Sequence, residues 1–307
     1  MTWKRFWTTL ATIGAAIGAL AFARGKWMPQ THWAIEDYES FWLLKIYQPP
    51  LFDMLLLGDS RILNAASPSA VAQTLSYPRV LNFGFSQVAF NQAYLDASRE
   101  KLDPVSDRRA LVLGVSPYSL TTKSDEENPF LQMHSKSRSE FLLLEALQGI
   151  RPYFDQVLDS PLDEYWRHFS RIEPGNLDRE FYRDGWNPVI MVTPTRGDSR
   201  EAYQNMFQGS KVSPRLVRDL METIRRWRAE GIRVFGYRAP TAEEVKALER
   251  EMLGFAEDAF AAQFREAGGT WLSLPGDYEL FDGDHMDKES AIRFSRRLAG
   301  AIRDEWR

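Results

Sequence analysis

Short apolar runs alternate with longer amphipathic stretches along most of the chain. Each apolar run ends in a turn signal, which is typical of a buried strand. Five runs are predicted as strands: Phe52–Leu57, Val80–Phe83, Arg109–Val115, Ile232–Tyr237 and Thr270–Leu274. Their alternation with helix-like stretches predicts an α/β fold, in which crossover helices join parallel strands.

Local signals mark where the helices begin and end. Ser67 precedes Pro68, the pattern of an N-cap followed by proline in the first turn. Asp287 is the predicted N-cap of the last helix. The other predicted helices cover Gln87–Lys101, Pro214–Glu230 and Thr241–Ala267, and the last covers Asp287–Trp306.

The alternation of predicted strands and helices is interrupted between residues 121 and 210. This stretch begins with a polar segment, contains an amphipathic pattern over Ser139–Leu147, and is then dense in aromatic residues and arginine. A long excursion within a compact domain is usually functional or disordered, and the aromatic density argues against disorder. We therefore predict an inserted cap beside a site.

The amino-terminal segment, residues 1–26, contains an uncharged run from Phe6 to Ala23. Its roughly 18 residues are just enough to span a bilayer. Ala21 to Ala23 resembles a signal-peptidase cleavage site, but the run is longer than a usual signal core, which favours an uncleaved signal anchor. A buried soluble helix is the third alternative. Either export alternative places the rest of the chain outside the cytoplasm, and cleavage after Ala23 would release it.

An aromatic connecting segment follows over residues 27–50. Aromatic side chains are favoured at a membrane interface, and packing beneath the following domain is an equal alternative. Pro49 and Pro50 mark a plausible boundary, so the main domain is predicted over residues 51–307, interrupted by the cap.

Composition narrows the chemistry. The 307 residues carry a net charge of -4, which gives no basic surface for nucleic acid. The absence of cysteine excludes disulfides and thiolate metal sites. The sequence shows no glycine-rich nucleotide motif and no cluster of His, Asp and Glu at ligand spacing. We therefore expect neither a cofactor nor a metal, and the four histidines limit the choice of a general base.

The polar residues at the strand ends suggest acyl-transfer chemistry. The carboxyl ends of parallel strands share one edge of the sheet, so residues distant in sequence can meet there. Ser60 follows the first strand and is the candidate nucleophile. His285 is the candidate base, and Asp282, three residues earlier, can hold its Nδ1 while Nε2 faces Ser60.

Acyl transfer also needs donors for an oxyanion. The backbone N–H groups of Ser60 and Gly84 are the candidates. Four further side chains are candidates for binding substrate: Arg61, Ser86, Gln87 and Arg238. The structural alternative is a solvated or salt-bridged side chain for Arg61 and helix capping for Ser86 and Gln87, whereas Arg238 is a candidate because it lies at a strand end.

These motifs resemble the SGNH (GDSL-type) hydrolase superfamily. The resemblance rests on Gly58-Asp59-Ser60, on Gly84 after the second strand, and on Asp282-x-x-His285 before the last helix. It implies a three-layer sandwich of flavodoxin-like type. It also implies the roles of nucleophile and oxyanion donor for Ser60, of oxyanion donor for Gly84, and of acid and base for Asp282 and His285.

The third family block departs from the pattern. The family usually has Gly-x-Asn, whereas this chain has Gly114-Val115-Ser116, so Ser116 either donates to the oxyanion or has no such role. The departure and the amino-terminal segment are similar to the branch that includes D-alanyl transfer proteins and alginate O-acetylation accessory proteins.

The resemblance to that branch implies serine-dependent O-acyl transfer, or ester hydrolysis, on an extracytoplasmic glycan. It also implies an anchor in a bacterial inner membrane, a periplasmic catalytic domain and a membrane-bound O-acyltransferase as partner. The alternatives are a secreted esterase or deacetylase, and a non-catalytic binding module.

Overall fold

The computed structural model describes residues 38–76, 79–143, 146, 177–191 and 200–306, together with residues 3, 5, 7–9, 12 and 14–16. The predicted membrane segment lies mostly outside these residues. Among the residues that are described, no helix is both long enough and apolar enough to cross a membrane.

The elements confirm the α/β alternation. The strands are β1 (Met54–Leu57), β2 (Val80–Asn82), β3 (Ala110–Val115), β4 (Leu177–Arg179), β5 (Val189–Met191), β6 (Arg233–Arg238) and β7 (Thr270–Leu272). The helices are α1 (Tyr38–Ile46), α2 (Ser60–Ala65), α3 (Pro68–Leu75), α4 (Gln92–Arg99), α5 (Thr122–Glu126), α6 (Pro129–His134), α7 (Arg200–Phe207), α8 (Pro214–Ala229), α9 (Glu243–Leu248), α10 (Glu257–Glu266) and α11 (Lys288–Glu305). Tyr118–Leu120 form a 3-10 turn and Glu249–Leu253 a π-helical turn.

Five parallel strands form the central sheet in the order β2-β1-β3-β6-β7. In sequence order of these strands this is the 2-1-3-4-5 arrangement of flavodoxin-like folds. The order reverses next to β1, so the loop after β1 borders the crevice where such sheets bind ligands. The predicted parallel sheet is therefore confirmed, and Ser60 lies at its topological switch point.

The core has two layers because successive strand residues point to opposite faces. Leu55 and Leu57 pack with α8 and α10 on one face, whereas Met54 and Leu56 pack with α11 on the other. All four strand side chains are buried. The sheet is thus covered on both faces, as the three-layer prediction required.

Helix α1 comes from the aromatic connecting segment and packs into the first of these layers. Phe41, Trp42 and Leu43 are buried there with the side chains of the sheet. Of the two alternatives for this segment, packing beneath the domain is the one seen for residues 38–46. The core therefore includes residues before the boundary predicted at Pro50.

Two predicted helices are shorter than expected. The helix predicted over Thr241–Ala267 is divided into α9, a π-helical turn and α10, because Gly254 is left-handed at φ 72° and ends the turn. The helix predicted from Gln87 begins instead at Gln92, where the side chain of Asn91 caps it. Both differences arise from local turn geometry that hydrophobic spacing does not report.

The cap is described only in part. Residues 138–143 are helical, which agrees with the start of the helix predicted over Ser139–Leu147, and the end of that helix lies outside the described residues. Helices α5 and α6, the antiparallel pair β4 and β5, and helix α7 are also described. Helix α7 reaches the main domain, since Tyr203 and Phe207 pack with Val245 and Leu248 of α9.

Candidate active site

The turn after β1 presents Ser60 at the start of α2. Gly58 has φ 148°, and a side chain there would lie 2.3 Å from Ile62 Cγ1 and 2.7 Å from the carbonyl oxygen of Gly114. Asp59 caps the helix by accepting a hydrogen bond from the N–H of Arg61 at 3.1 Å. The N–H of Ser60, in the first turn of the helix, has no intrahelical acceptor. Glycine is thus required for the close turn that aims the serine at the sheet edge.

The turn before α11 holds the histidine. Oδ1 of Asp282 accepts from the N–H groups of His285 at 2.9 Å and Asp284 at 3.3 Å. The carbonyl oxygen of Gly283 accepts from the N–H of Ala242 at 2.7 Å, which ties the turn to the loop after β6. Asp282 therefore shapes the backbone that carries His285, besides contacting its ring.

Ser60, His285 and Asp282 meet as the sequence predicted. Nε2 of His285 lies 2.8 Å from Oγ of Ser60, and Nδ1 lies 2.8 Å from Oδ2 of Asp282. The His285 and Asp282 side chains are 18% and 27% exposed, so a reactant can approach them. This is the geometry by which a histidine deprotonates a serine while a carboxylate fixes its tautomer.

A second carboxylate lies against the same imidazole. Oδ1 of Asp284 is 2.7 Å from Nδ1 of His285. Its other oxygen, Oδ2, accepts from Nε of Arg61 at 2.7 Å. Asp284 directly precedes His285 in sequence, and the structure brings its carboxylate to Nδ1 together with that of Asp282.

The two arginines proposed for substrate binding form internal ion pairs instead. The side chain of Arg61 is only 2% exposed and bonds Glu249 and Thr241 as well as Asp284. Arg238 bonds the same Glu249 and the carbonyl oxygen of Val115. Their donors are used within the protein, so the structure favours the salt-bridged alternative for Arg61 and argues against substrate binding by Arg238.

Two of the three proposed oxyanion donors point elsewhere. The N–H of Gly84 donates to Oδ1 of Asn82 at 2.9 Å. The hydroxyl of Ser116 is fully buried and donates to Asp59. The departure from the family block at this position therefore places a support beneath the nucleophile turn. Of the three proposed donors, the N–H of Ser60 is the one that donates to no acceptor among the described residues.

The loop after Gly84 runs beside the nucleophile turn, because the N–H of Phe85 donates to the carbonyl oxygen of Gly58 at 3.0 Å. Gln87 in this loop has φ 57°, a left-handed conformation that is uncommon for a residue with a side chain. Strained backbone of this kind is often found at functional sites. The N–H groups of Ser86 and Gln87 donate to no described backbone carbonyl, so both remain candidates for substrate contact.

Lys45 is a site-supporting residue that the sequence reasoning missed. It is fully buried, and its Nζ donates to the carbonyl oxygens of Gly84 at 2.5 Å and Gly185 at 3.0 Å. The ring of Phe85 lies 4.6 Å away. Burial lowers the pKa of Lys45 well below its usual value, against the opposing effect of Asp184. The sequence feature that could have indicated a buried lysine is the position of Lys45 within the otherwise apolar run Phe41–Ile46.

The electrostatics of His285 reflect its two carboxylates. Burial alone would lower its pKa, but Asp284 and Asp282 outweigh burial and raise the pKa from 6.5 to about 10. For Asp284 the effects have the opposite sign. Burial alone would raise its pKa, but the charges of Arg61 and His285 hold the pKa well below its ordinary value. The two carboxylates therefore stabilise the protonated form of the imidazole relative to the neutral form.

This shift predicts how activity depends on pH. Only neutral His285 can accept the proton of Ser60, and its fraction grows as pH rises toward the pKa. We expect kcat/KM toward an uncharged ester to rise from pH 6.5 toward about pH 10. Rates measured with Ser60→Ala at each pH give the spontaneous background to subtract. A plateau already reached at pH 7 would contradict the raised pKa.

The same pKa shift has a consequence for stability. Because the folded-state pKa exceeds the unfolded value, protonated His285 stabilises the fold fully below about pH 6.5 and this contribution is lost as pH rises through about 10. In His285→Gln, the free energy of unfolding should therefore fall less over that range, as chemical denaturation at several pH values would measure.

Asp282, Asp284 and His285 also form a cluster that sequence spacing had not indicated. Their ligand atoms lie within 4.8 Å of one another, which makes them the group with metal-binding spacing among the described residues. In the observed arrangement these atoms contact each other, and the guanidinium of Arg61 neutralises Asp284. Because the Arg61 guanidinium already binds Oδ2 of Asp284, the cluster is less suited to a metal ion.

No family model and no curated protein matches this chain. Several solved structures are similar. Est24, a carbohydrate acetylesterase from Sinorhizobium meliloti, aligns over 83% of this chain and 100% of its own, with 10% identity and a TM-score of 0.39. The inhibitor-bound aryl esterase of M. smegmatis aligns over 83% and 99%, with 11% identity and a TM-score of 0.36.

Another carbohydrate acetylesterase family member from Sinorhizobium meliloti covers 82% of this chain and 98% of its own, with 12% identity and a TM-score of 0.36. Similarities of this size decide neither fold nor activity. The strand order and the contact of Ser60, His285 and Asp282 are nevertheless those that the resemblance to SGNH hydrolases predicts.

Proposed function

We propose that this protein is an SGNH-type serine enzyme that cleaves acyl esters through an acyl-enzyme on Ser60. The observation that carries the proposal is the continuous contact from Oγ of Ser60 to Nε2 of His285, and from Nδ1 to Asp282, each at 2.8 Å. The three residues come from opposite ends of the sequence, and ordinary packing does not require a serine, an imidazole and a carboxylate in line.

The reaction follows from this arrangement. Oγ of Ser60 attacks the ester carbonyl while Nε2 of His285 takes its proton. The N–H of Ser60 donates to the oxyanion of the tetrahedral intermediate, with a second donor from the loop holding Ser86 and Gln87. The imidazolium then protonates the leaving alcohol, and the acyl group remains on Ser60.

The second half uses the same groups. Water, or the hydroxyl of an acceptor, gives its proton to Nε2 of His285 and attacks the acyl carbon. Collapse of the second intermediate breaks the bond to Oγ of Ser60, which regains the proton. Water as acceptor gives hydrolysis, and a sugar hydroxyl gives O-acyl transfer.

A large cleft adjoins the turn that carries His285. It has a volume of about 1360 Å³ and reaches the histidine turn at Gly283 and Phe281. This exceeds the 300–1,000 Å³ of usual small-molecule pockets. Aromatic rings of Trp271 and Tyr278 line it together with charged side chains of both signs. Ser60, His285 and Asp282 do not line this cleft, so the finer proposal of transfer to a polysaccharide rests on the amino-terminal sequence and on the resemblance to the acyl-transfer branch.

The cellular setting of this proposal rests on the amino-terminal sequence. An uncharged run from Phe6 to Ala23 supports export, with retention in a membrane or release after Ala23. For O-acyl transfer, an anchored enzyme outside the cytoplasm needs its acyl groups delivered across the membrane. A membrane-bound O-acyltransferase would supply them, and this remains part of the proposal.

Covalent labelling tests the nucleophile. The full-length protein is treated with a serine-reactive phosphonate, and intact mass is compared with Ser60→Ala, His285→Ala and the control Ser69→Ala, an exposed serine of α3. One adduct on wild type and on the control, absent from the other two variants, is the expected result. An unlabelled wild type would contradict the proposal and favour a non-catalytic binding module.

A second measurement separates transfer from hydrolysis. The labelled acyl group of an activated ester is followed by mass spectrometry into free acid or into an oligosaccharide acceptor, with and without membranes. Acylated oligosaccharide that depends on Ser60 supports the transferase. Free acid alone in both conditions, at a rate unaffected by acceptor, would leave the plain esterase as the function.

A further inference from the structure

The imidazole of His285 touches two carboxylates through one nitrogen. Nδ1 lies 2.8 Å from Oδ2 of Asp282 and 2.7 Å from Oδ1 of Asp284. The single hydrogen on a neutral ring's Nδ1 points to Asp282, so Oδ1 of Asp284 has no aligned donor in this arrangement. The mechanism above uses Asp282 alone and leaves the shorter contact without a role.

The two carboxylates differ in their surroundings. Asp282 is 27% exposed, and its Oδ1 is engaged by backbone N–H groups of its own turn. Asp284 is 4% exposed and is fixed from behind by Arg61, which donates Nε to Oδ2 at 2.7 Å. A buried charge acts on its neighbour with less solvent screening than an exposed one. Asp284 is therefore the better-insulated partner of the imidazole.

Arg61 is itself held rigidly. Nη2 donates to Glu249 at 2.9 Å and Nη1 donates to Thr241 at 2.9 Å. Thr241 in turn donates to the carbonyl oxygen of Ala239, at the end of β6. The guanidinium thus joins the nucleophile helix to the π-helical turn and to the loop after β6, and it fixes where Oδ1 of Asp284 points.

Tyr203 completes the surroundings of Asp284 from the cap. It is buried, and burial together with the charges of Asp284 and Asp282 raises the pKa of its hydroxyl far above the usual value. Among the described residues, the titratable and charged groups on the Nδ1 side of His285 are thus Asp282, Asp284, Tyr203 and Arg61. Among them the two carboxylates contact the ring.

We propose that Asp284, oriented by Arg61, is a second acid of this site, which holds the imidazole of His285 toward Ser60 and stabilises its charged form together with Asp282. The inference rests on the proposed function. When Nε2 takes the proton of Ser60, the ring becomes a cation between two carboxylates whose positions are already fixed. Asp284 acts through His285 and is a positioning residue, since it touches neither the ester nor Oγ of Ser60.

Activity of three variants tests this division. Where a triad has one acid, replacing it by asparagine lowers kcat by about 10⁴-fold. Because Asp284 remains beside Nδ1 in Asp282→Asn, we expect that variant to lose only about 10- to 100-fold, and Asp284→Asn a similar amount. The double variant should approach the full loss of about 10⁴-fold. A single Asp282→Asn as inactive as the double variant would overturn the proposal.

The pKa of His285 gives a measurement that needs no turnover. The chain has four histidines, so the His285 resonance can be identified by comparison with His285→Gln. Asp284→Asn should lower this pKa by more than one unit, and Asp282→Asn should lower it less. An unchanged pKa in Asp284→Asn would contradict the proposal even if Ser60 is the nucleophile. The expected shift in a protein that hydrolyses nothing would uphold the contact and count against the proposed function alone.

Folding has to be separated from positioning. Asp284→Asn leaves Arg61 with one buried carboxylate fewer, so the variant is compared with Asp284→Asn/Arg61→Met, in which the unpaired cation is also absent. If the single variant does not fold, the double variant is titrated in its place. A pKa of His285 equal to the wild-type value in a folded double variant would again overturn the assignment.

Discussion

Replacing Ser60 by alanine is expected to lower acyl-ester turnover by about 10⁴- to 10⁶-fold while the protein remains folded. In the proposed reaction the hydroxyl oxygen forms the covalent bond, and no other described serine lies at hydrogen-bonding distance of Nε2 of His285. The side chain of Ser60 is only half-buried and supports no other contact, so its loss should change stability by less than about 0.5 kcal/mol.

The measurement is kcat/KM with a small activated ester, accompanied by the free energy of unfolding of both proteins. Ser69→Ala, on an exposed face of α3, serves as the matched control and should retain wild-type turnover. Wild-type activity in purified Ser60→Ala would remove Ser60 as the nucleophile. A variant that is inactive because it is unfolded would show in the unfolding data and would leave the folded-state comparison to His285→Ala.

The position of Ser60 and His285 could be predicted because it depends on the sheet. Short apolar runs identified the strands, and parallel strands bring their carboxyl ends to one edge. The three residues Gly58, Asp282 and Asp287 each make a local turn or cap that the sequence announces. The predicted parallel sheet, these local signals and the resemblance to SGNH hydrolases together indicated where Ser60, His285 and Asp282 lie.

The residues around the triad depend on long-range pairing that no local pattern reports. Arg61 follows the nucleophile in sequence and was considered for an anionic substrate, but the anions it binds are Asp284 and Glu249 of the protein itself. Glu249 begins the π-helical turn that replaces the expected regular helix. Hydrophobic spacing over Thr241–Ala267 predicts a helix and says nothing about that turn.

The oxyanion donors were also only partly predictable from the sequence. Gly84 was a predicted donor. Glycine allows close approach of the backbone, and at Gly84 the groups approached are Leu63 and Asn82. The free backbone donors lie two and three residues further on, where Gln87 takes a left-handed conformation. The role of Lys45 was not predicted for a similar reason. Its partners are backbone carbonyl oxygens, which every residue carries, so no residue type in the sequence indicates the contact.

Replacing Arg61 by methionine is expected to lower the free energy of unfolding by about 3–5 kcal/mol. Arg61 is 2% exposed and pairs with two carboxylates that are 4% and 1% exposed. Methionine fills much of the same volume, so the change removes the cation and leaves Asp284 without its principal partner. Burying an uncompensated carboxylate is costly because its hydration is not replaced. Urea denaturation of the variant and the wild type measures the difference.

A surface ion pair provides the matched control. Arg226 pairs with Asp96 at 3.1 Å, but both side chains are about half exposed, so Arg226→Met should cost less than about 1 kcal/mol. The double variant Arg61→Met/Asp284→Asn should recover part of the lost stability, because it also removes the unpaired charge. If Arg61→Met were no more destabilised than Arg226→Met, the buried pair would contribute nothing, and the rigid support that fixes Asp284 beside His285 would have to come from another contact.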